Sequence, residues 1–427
     1  MFKHRYTLAA SFLWFVAAAG RCPAQGASAN LTVLFDFSSS DTGNGYTAYA
    51  PLTAGEGGIL YGTTALGGDA DGGAVYSMTP PATAGAGWTE KVIYSFPRDT
   101  ADGVELFYGL AVGPGGVLYG ATVQGGPSNC GTVFELAPPS SEGAPWTEST
   151  IFLFDCGEGG NAPRGTLAVG NRGQLYGVTQ HRGSGGAGLV YELRPPDTVG
   201  GSWTEKVLHK FTGSPDGYQP MAGIVEGPDG ILYGTTQAGG TPVSDQIGRG
   251  TVFSLAPPKT EGGEWTETII HDFGETREDH GLPLASVVLG DSGVLYGSAF
   301  SQSGTVFALY PPASPGGSWT EDILYAFQGY PDGSGPKGNL ALGSGGVLYG
   351  TTSAGGTDGW GIVFSLTPPA SPGGAWSESI LWDFTQGADG AIPNGGLLFI
   401  QGRLYGTTSL GSTDAGPSGG SVFALTP

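Results

Sequence analysis

The chain has 427 residues, 37 acidic against 16 basic, for a formal net charge of −21. That balance argues against nucleic-acid partners, whose phosphates are bound through counterion release by Lys and Arg, and anionic lipid would repel it too. Gly and Pro number 81 and 31, a share that signals disorder in an aperiodic chain, but these glycines recur with a period and a closed all-β unit can hold this length.

The chain begins like a secretory leader. Lys3 and Arg5 give a basic start, Leu8 to Ala19 an apolar stretch too short to span a bilayer, and Ala27-Ser28-Ala29 a small-residue cleavage site. Residues 1–29 are read as a signal peptide and 30–427 as the mature part, secreted or otherwise extracytoplasmic. Arg21 stands before Cys22 where a lipobox wants a small residue, which argues against lipidation. No later segment has the apolar length of a membrane helix, so no membrane span is expected. Loss of the leader removes Lys3, Arg5 and Arg21, leaving 13 basic against 37 acidic side chains. Acidic partners are disfavoured by that charge, divalent cations are not.

Leu-Tyr-Gly then appears seven times, at Tyr61, Tyr119, Tyr176, Tyr233, Tyr296, Tyr349 and Tyr405, spaced 58, 57, 57, 63, 53 and 56 residues apart. This period suits four strands with their turns, the content of a propeller blade. The fourth copy predicts strands over Ala222 to Val225, Ile231 to Thr236, Thr251 to Leu255 and Trp265 to Phe273, with a tight turn at Gly227-Pro228-Asp229-Gly230. Phe253 and Leu255 alternate with Val252, so both faces of the third strand are apolar, as stacked blades require.

The last copy stops after its third strand at Pro427, and Val33-Leu34-Phe35-Asp36-Phe37 resembles fourth strands such as Ile269-Ile270-His271-Asp272-Phe273. The predicted fold is therefore all-β. It is a seven-bladed β-propeller of four-stranded blades over residues 30–427, with the N-terminal strand completing the last blade and leaving no free edge.

The strings Gly230-Ile231-Leu232-Tyr233-Gly234-Thr235-Thr236, Gly239-Gly240 and Gly250-Thr251-Val252-Phe253 resemble the GloVer tandem repeat of exported bacterial proteins. The resemblance covers essentially the whole mature chain. It implies an extracytoplasmic location and a propeller-like repeat, and it brings no catalytic residues.

Candidate site residues fall in two sets. Linkers between blades repeat an Asp-Gly-x-x-Pro pattern beginning at Asp216, Asp332 and Asp389, with variants at Asp279 and Asp102. As a ring, these carboxylates would suit Ca²⁺ or a cationic ligand through oxygen coordination. The competing reading is a turn, because Asp accepts local backbone hydrogen bonds and Gly takes positive φ. A once-per-blade residue favours the turn. Residues that break the repeat form the second set: His181 and Arg182, Arg249, and Trp360, all in loops between second and third strands. Trp88, Trp146, Trp203, Trp265, Trp319 and Trp376 each start a fourth strand, where packing over blade edges is preferred to sugar stacking. Cys130 and Cys156 emerge on one face of one copy, where a disulfide competes with two free thiols.

No metal-ligand spacing joins the histidines and no nucleophile elbow or phosphate loop stands out. The leading expectation is a secreted, non-catalytic propeller, monomeric and without a cofactor, that presents one loop-rich face to a glycan or protein. The alternative is a polysaccharide-active hydrolase or lyase using the acids of the inter-blade linkers.

Overall fold

The computed structural model describes residues 29–427 except 38–41, 84, 99–102, 142, 182–185, 199, 243–247, 261, 275–280, 315, 372 and 412–418. The leader segment therefore lies outside the described residues, Ala29 apart. Seven four-stranded antiparallel sheets form, each from consecutive strands in sequence order save one. Among the described residues no helix is long and apolar enough to cross a membrane.

Blade 4 shows the pattern, with strands Val225–Glu226, Leu232–Thr236, Thr251–Ala256 and Thr266–Asp272. The innermost strand pairs with its own sheet only at Val225 and Glu226, later than the predicted start at Ala222. Residues just before it run along the propeller axis against the neighbouring blade. A Cβ on Gly223 would lie 2.3 Å from the carbonyl oxygen of Thr166 in blade 3, closer than any side chain tolerates. Backbone contact between blades thus replaces ladder pairing within the blade.

The Leu-Tyr-Gly-Thr-Thr string can be understood residue by residue. Leu232 is fully buried. Gly234 pairs with Phe253 across the sheet, and a Cβ there would stand 2.5 Å from Phe253 Cζ, so glycine makes room for the ring of the third strand. The Thr235 hydroxyl donates to the Ala285 carbonyl of blade 5 at 3.2 Å. The same stitch to the next blade recurs from Thr63 to Tyr108, Thr351 to Gly395 and Thr407 to Ala50. Thr236 and Thr251 share a buried hydroxyl contact of 2.8 Å within the blade. The Tyr233 ring meets Trp319 of the next blade edge-on at 6.4 Å. Tyr61 with Trp146, Tyr119 with Trp203, Tyr176 with Trp265 and Tyr296 with Trp376 repeat that contact. The tryptophans bind one blade to the previous one, a more specific role than covering an edge.

The last sheet runs Asn30–Asp36, Ser421–Thr426, Arg403–Thr408, Leu398–Ile400. Val33 pairs with Phe423, so the N-terminal strand is the outermost strand of blade 7, as the sequence predicts. Phe37, just past it, is fully buried and its ring lies 4.9 Å from that of Tyr76 in blade 1, at 61°. Equivalent contacts join Phe96 to Phe134, Phe154 to Tyr191, Phe211 to Phe253, Phe273 to Phe307, Phe327 to Phe364 and Phe384 to Phe423. The aromatic ring around the molecule is therefore unbroken, each edge-to-face pair adding about 0.5–1.5 kcal/mol beyond area burial.

Candidate functional site

Each linker between blades carries a residue at positive φ just before the innermost segment; five of these precede a proline, Gly335 and four with side chains, Ala162, Gln219, Leu282 and Ile392, the four at φ 53°, 57°, 66° and 55°. Their N–H groups donate to backbone carbonyls of the preceding blade, at Cys130, Ala187, Arg249 and Trp360, over 2.7–2.9 Å. Each conformation, unfavourable for an L-residue, is held by that bond and by the fixed φ of the proline that follows. The next residue is thereby delivered to the axis. These next residues are Arg164, Met221, Leu284 and Asn394, with Tyr49, Phe107 and Lys337 in the same position on the other blades.

One cavity of about 100 Å³ is lined by residues of all seven blades and so lies on the axis. Tyr49, Phe107, Met221, Leu284, Lys337 and Asn394 line it directly, together with Tyr108, Thr166, Ser286 and Asn339. Tyr49 and Phe107 meet edge-on at 6.0 Å. Arg164 Nη1 donates to the Tyr108 hydroxyl at 3.2 Å and its Nε to Gln180 Oε1 at 2.9 Å. Burial raises the Tyr108 pKa, opposed by the Arg164 charge, so the phenol stays protonated and able to donate. Asn339 Oδ1 accepts from the Ser286 N–H at 2.9 Å, bracing blade 6 against blade 5. Asn394 Nδ2 donates to Ser409 Oγ at 2.7 Å, which leaves its Oδ1 a buried acceptor without a partner. No Asp, Glu or His is among the lining side chains.

The sequence-predicted residues that the structure describes are not among those lining the cavity. Asp216 accepts from the Thr212 N–H and hydroxyl at 2.8 and 3.1 Å, with His209 Nε2 at 3.2 Å. Asp332 accepts from the Gln328 N–H and the Tyr325 hydroxyl, and buried Asp389 from Thr385, Gly387 and Trp382 Nε1. Each carboxylate therefore ties its turn to the end of the preceding fourth strand. Asp102, Arg182 and Asp279 lie outside the described residues. His181 ends the second strand of blade 3, opposite Asn161. Arg249 and Trp360 offer their carbonyls to the linkers, and the Trp360 ring packs on the core between blades 6 and 7. Cys130 and Cys156 are joined as a disulfide, their Cα atoms 5.5 Å apart. Among the described residues, no group of three or more His, Cys, Asp or Glu is placed to hold a metal ion.

The axial ring belongs neither to the loops between second and third strands nor to the acidic linker pattern. A signal was present. Each ring residue stands twelve positions before the Leu-Tyr-Gly tyrosine, eleven in blade 7, and that column reads Tyr, Phe, Arg, Met, Leu, Lys, Asn.

The sequence profile described as the Gloeobacter/Verrucomicrobia repeat matches residues 83–302 and 297–427. No curated protein matches the chain. Among solved structures, an ulvan lyase of a new polysaccharide lyase family, bound to -[GlcA(1-4)Rha3S]-, is similar with a TM-score of 0.53 and 11% identity, over 91% of this chain and 94% of that one. A putative 6-phosphogluconolactonase from Bacteroides uniformis ATCC 8492 gives a TM-score of 0.50 and 15% identity, over 77% and 83%. At these identities the likeness is one of fold.

Proposed function

Since this chain belongs to the Gloeobacter/Verrucomicrobia repeat family, we propose that it is a secreted, non-catalytic binding propeller that takes a glycan at its axial mouth. The observation that carries this reading is the ring itself. Positions that build blades hold the same residue again and again, tyrosine in all seven Leu-Tyr-Gly copies, whereas the seven axial positions hold seven different residue types. Stacking of blades does not ask for that variety; an asymmetric ligand does.

A glycan suits the chemistry. Tyr49 and Phe107 offer aromatic faces for sugar rings, next to amide, hydroxyl and cationic groups that can fix orientation. Glycoside hydrolysis needs two carboxyl groups across a shared cleft, and the cavity lining has none, which supports binding rather than turnover. Export is supported by the basic and apolar leader at residues 1–29 and by the Cys130–Cys156 bond, which persists in oxidising compartments.

Titration calorimetry of the purified protein against a panel of neutral and acidic oligosaccharides, run beside a reducing-sugar release assay, tests the reading. Heat without product is expected, and it should be lost in Tyr49→Ala and Phe107→Ala. Release of product would remove the non-catalytic part; silence across the panel would remove the glycan.

A further inference from the structure

Two of the seven axial positions hold cations, Arg164 on blade 3 and Lys337 on blade 6, three blades apart; the Lys337 side chain lines the cavity and that of Arg164 is drawn to Tyr108 and Gln180. The chain can place few cations anywhere, with 16 basic residues against 37 acidic ones. Three others are neutralised by carboxylates: Arg98 by Asp71 at 2.6 Å, Arg194 by Glu192 at 2.9 Å, Lys210 by Glu158. Among the described residues neither Arg164 nor Lys337 pairs with a carboxylate. Their contacts are to neutral groups instead. Arg164 is held by Gln180 and lies 5.9 Å from the Tyr108 ring centroid; the Lys337 ammonium sits 5.0 Å from the centre of the Phe300 ring. Aromatic faces and an amide oxygen position these charges without cancelling them.

Resting on the axial mouth as a glycan site, we infer that its ligand is an acidic saccharide, whose carboxylate or sulfate is received by Lys337 in the cavity lining, with Arg164 adding positive charge from behind Tyr108. An uncompensated cation in a recess, with a second held behind Tyr108, focuses positive potential there, while the net acidic charge of the chain disfavours anions over the surface at large. Tyr108, kept protonated, can donate to the same anion.

The probes are trigalacturonate, its methyl ester and a sulfated carrageenan oligosaccharide, titrated by calorimetry at low and high salt. A charge-assisted contact should make the free acid bind about tenfold tighter than the ester, a gap that shrinks with salt. Lys337→Met should weaken the acid far more than the ester and so close the gap, and Lys337→Arg should restore it, with the melting temperature unchanged in both. A preference for the sulfated probe over trigalacturonate supports the inference and names the anionic group. Acid and ester binding alike, both lost in Phe107→Ala, would overturn the inference and spare the glycan site. Failure of every probe to bind would overturn both.

Discussion

Trp88, at the start of the outermost strand of blade 1, meets Tyr405 of blade 7 edge-on, their rings 5.8 Å apart at 63°. This is the same contact made elsewhere between blades consecutive in sequence, here made between the first blade and the last. With Phe37 against Tyr76 it bolts blade 7 to blade 1. Blade 7 has no tryptophan in the equivalent place, and Tyr349 of blade 6 stacks on Phe399 instead, at 5.4 Å and 21°.

Closure should therefore be fragile at that seam. Phe37→Ala removes a fully buried ring and should cost about 3–5 kcal/mol, read from urea unfolding. Deleting residues 30–37 should also expose the edge of Ser421–Thr426 and promote self-association, visible by light scattering. Unchanged unfolding and a monodisperse deletion variant would refute the closed ring.

Gly234→Ala should overpack the contact with Phe253 and destabilise by about 1–3 kcal/mol. Combining it with Phe253→Leu should cost less than the sum of the two single changes, because the shorter side chain gives the methyl room. Strict additivity in a double-mutant cycle would show that the ring does not dictate the glycine.

The disulfide closes a segment with a sequence separation of 26 and should contribute about 3 kcal/mol by restricting the unfolded chain. Denaturation with and without reductant measures it. An unchanged midpoint would mean that Cys130, already buried, holds its place by packing alone.

Stability should rise as pH falls from 8 to 6. Burial is the main cause that lifts Glu205, Glu267 and Glu378 to about 7, from an ordinary value of 4.5, with Asp155, Asp216 and Asp332 pushing the same way on each in turn. Lys210 opposes the shift at Glu205 and His209 at Glu267. A carboxyl whose folded pKa is raised binds its proton more tightly in the fold than in the unfolded chain. Its contribution is thus complete below the ordinary carboxyl range and disappears as pH climbs through about 7. Melting temperatures across this window check the sign. The triple variant Glu205→Gln, Glu267→Gln, Glu378→Gln should flatten the dependence, and an equally steep profile would assign it to other groups.

Much of the architecture could be read along the chain because it is written locally. Tyr233 and its six equivalents count the blades, the alternation of Val252 with Phe253 declares two packed faces, and Val33 to Phe37 announce the missing strand. The linker aspartates illustrate the opposite case. Asp216, Asp332 and Asp389 share a pattern, but whether a carboxylate faces a ligand or its own turn depends on where Thr212, Gln328 and Thr385 lie in space.

Blade number, strand order and the offset of the chain ends were decided by the sequence alone, since each arises from apolar periodicity and turn residues within a few positions. The axial site was decided by tertiary structure. Its residues stand more than fifty positions apart and become neighbours only when seven twisted sheets close on one axis, a relation carried by no local stretch of chain.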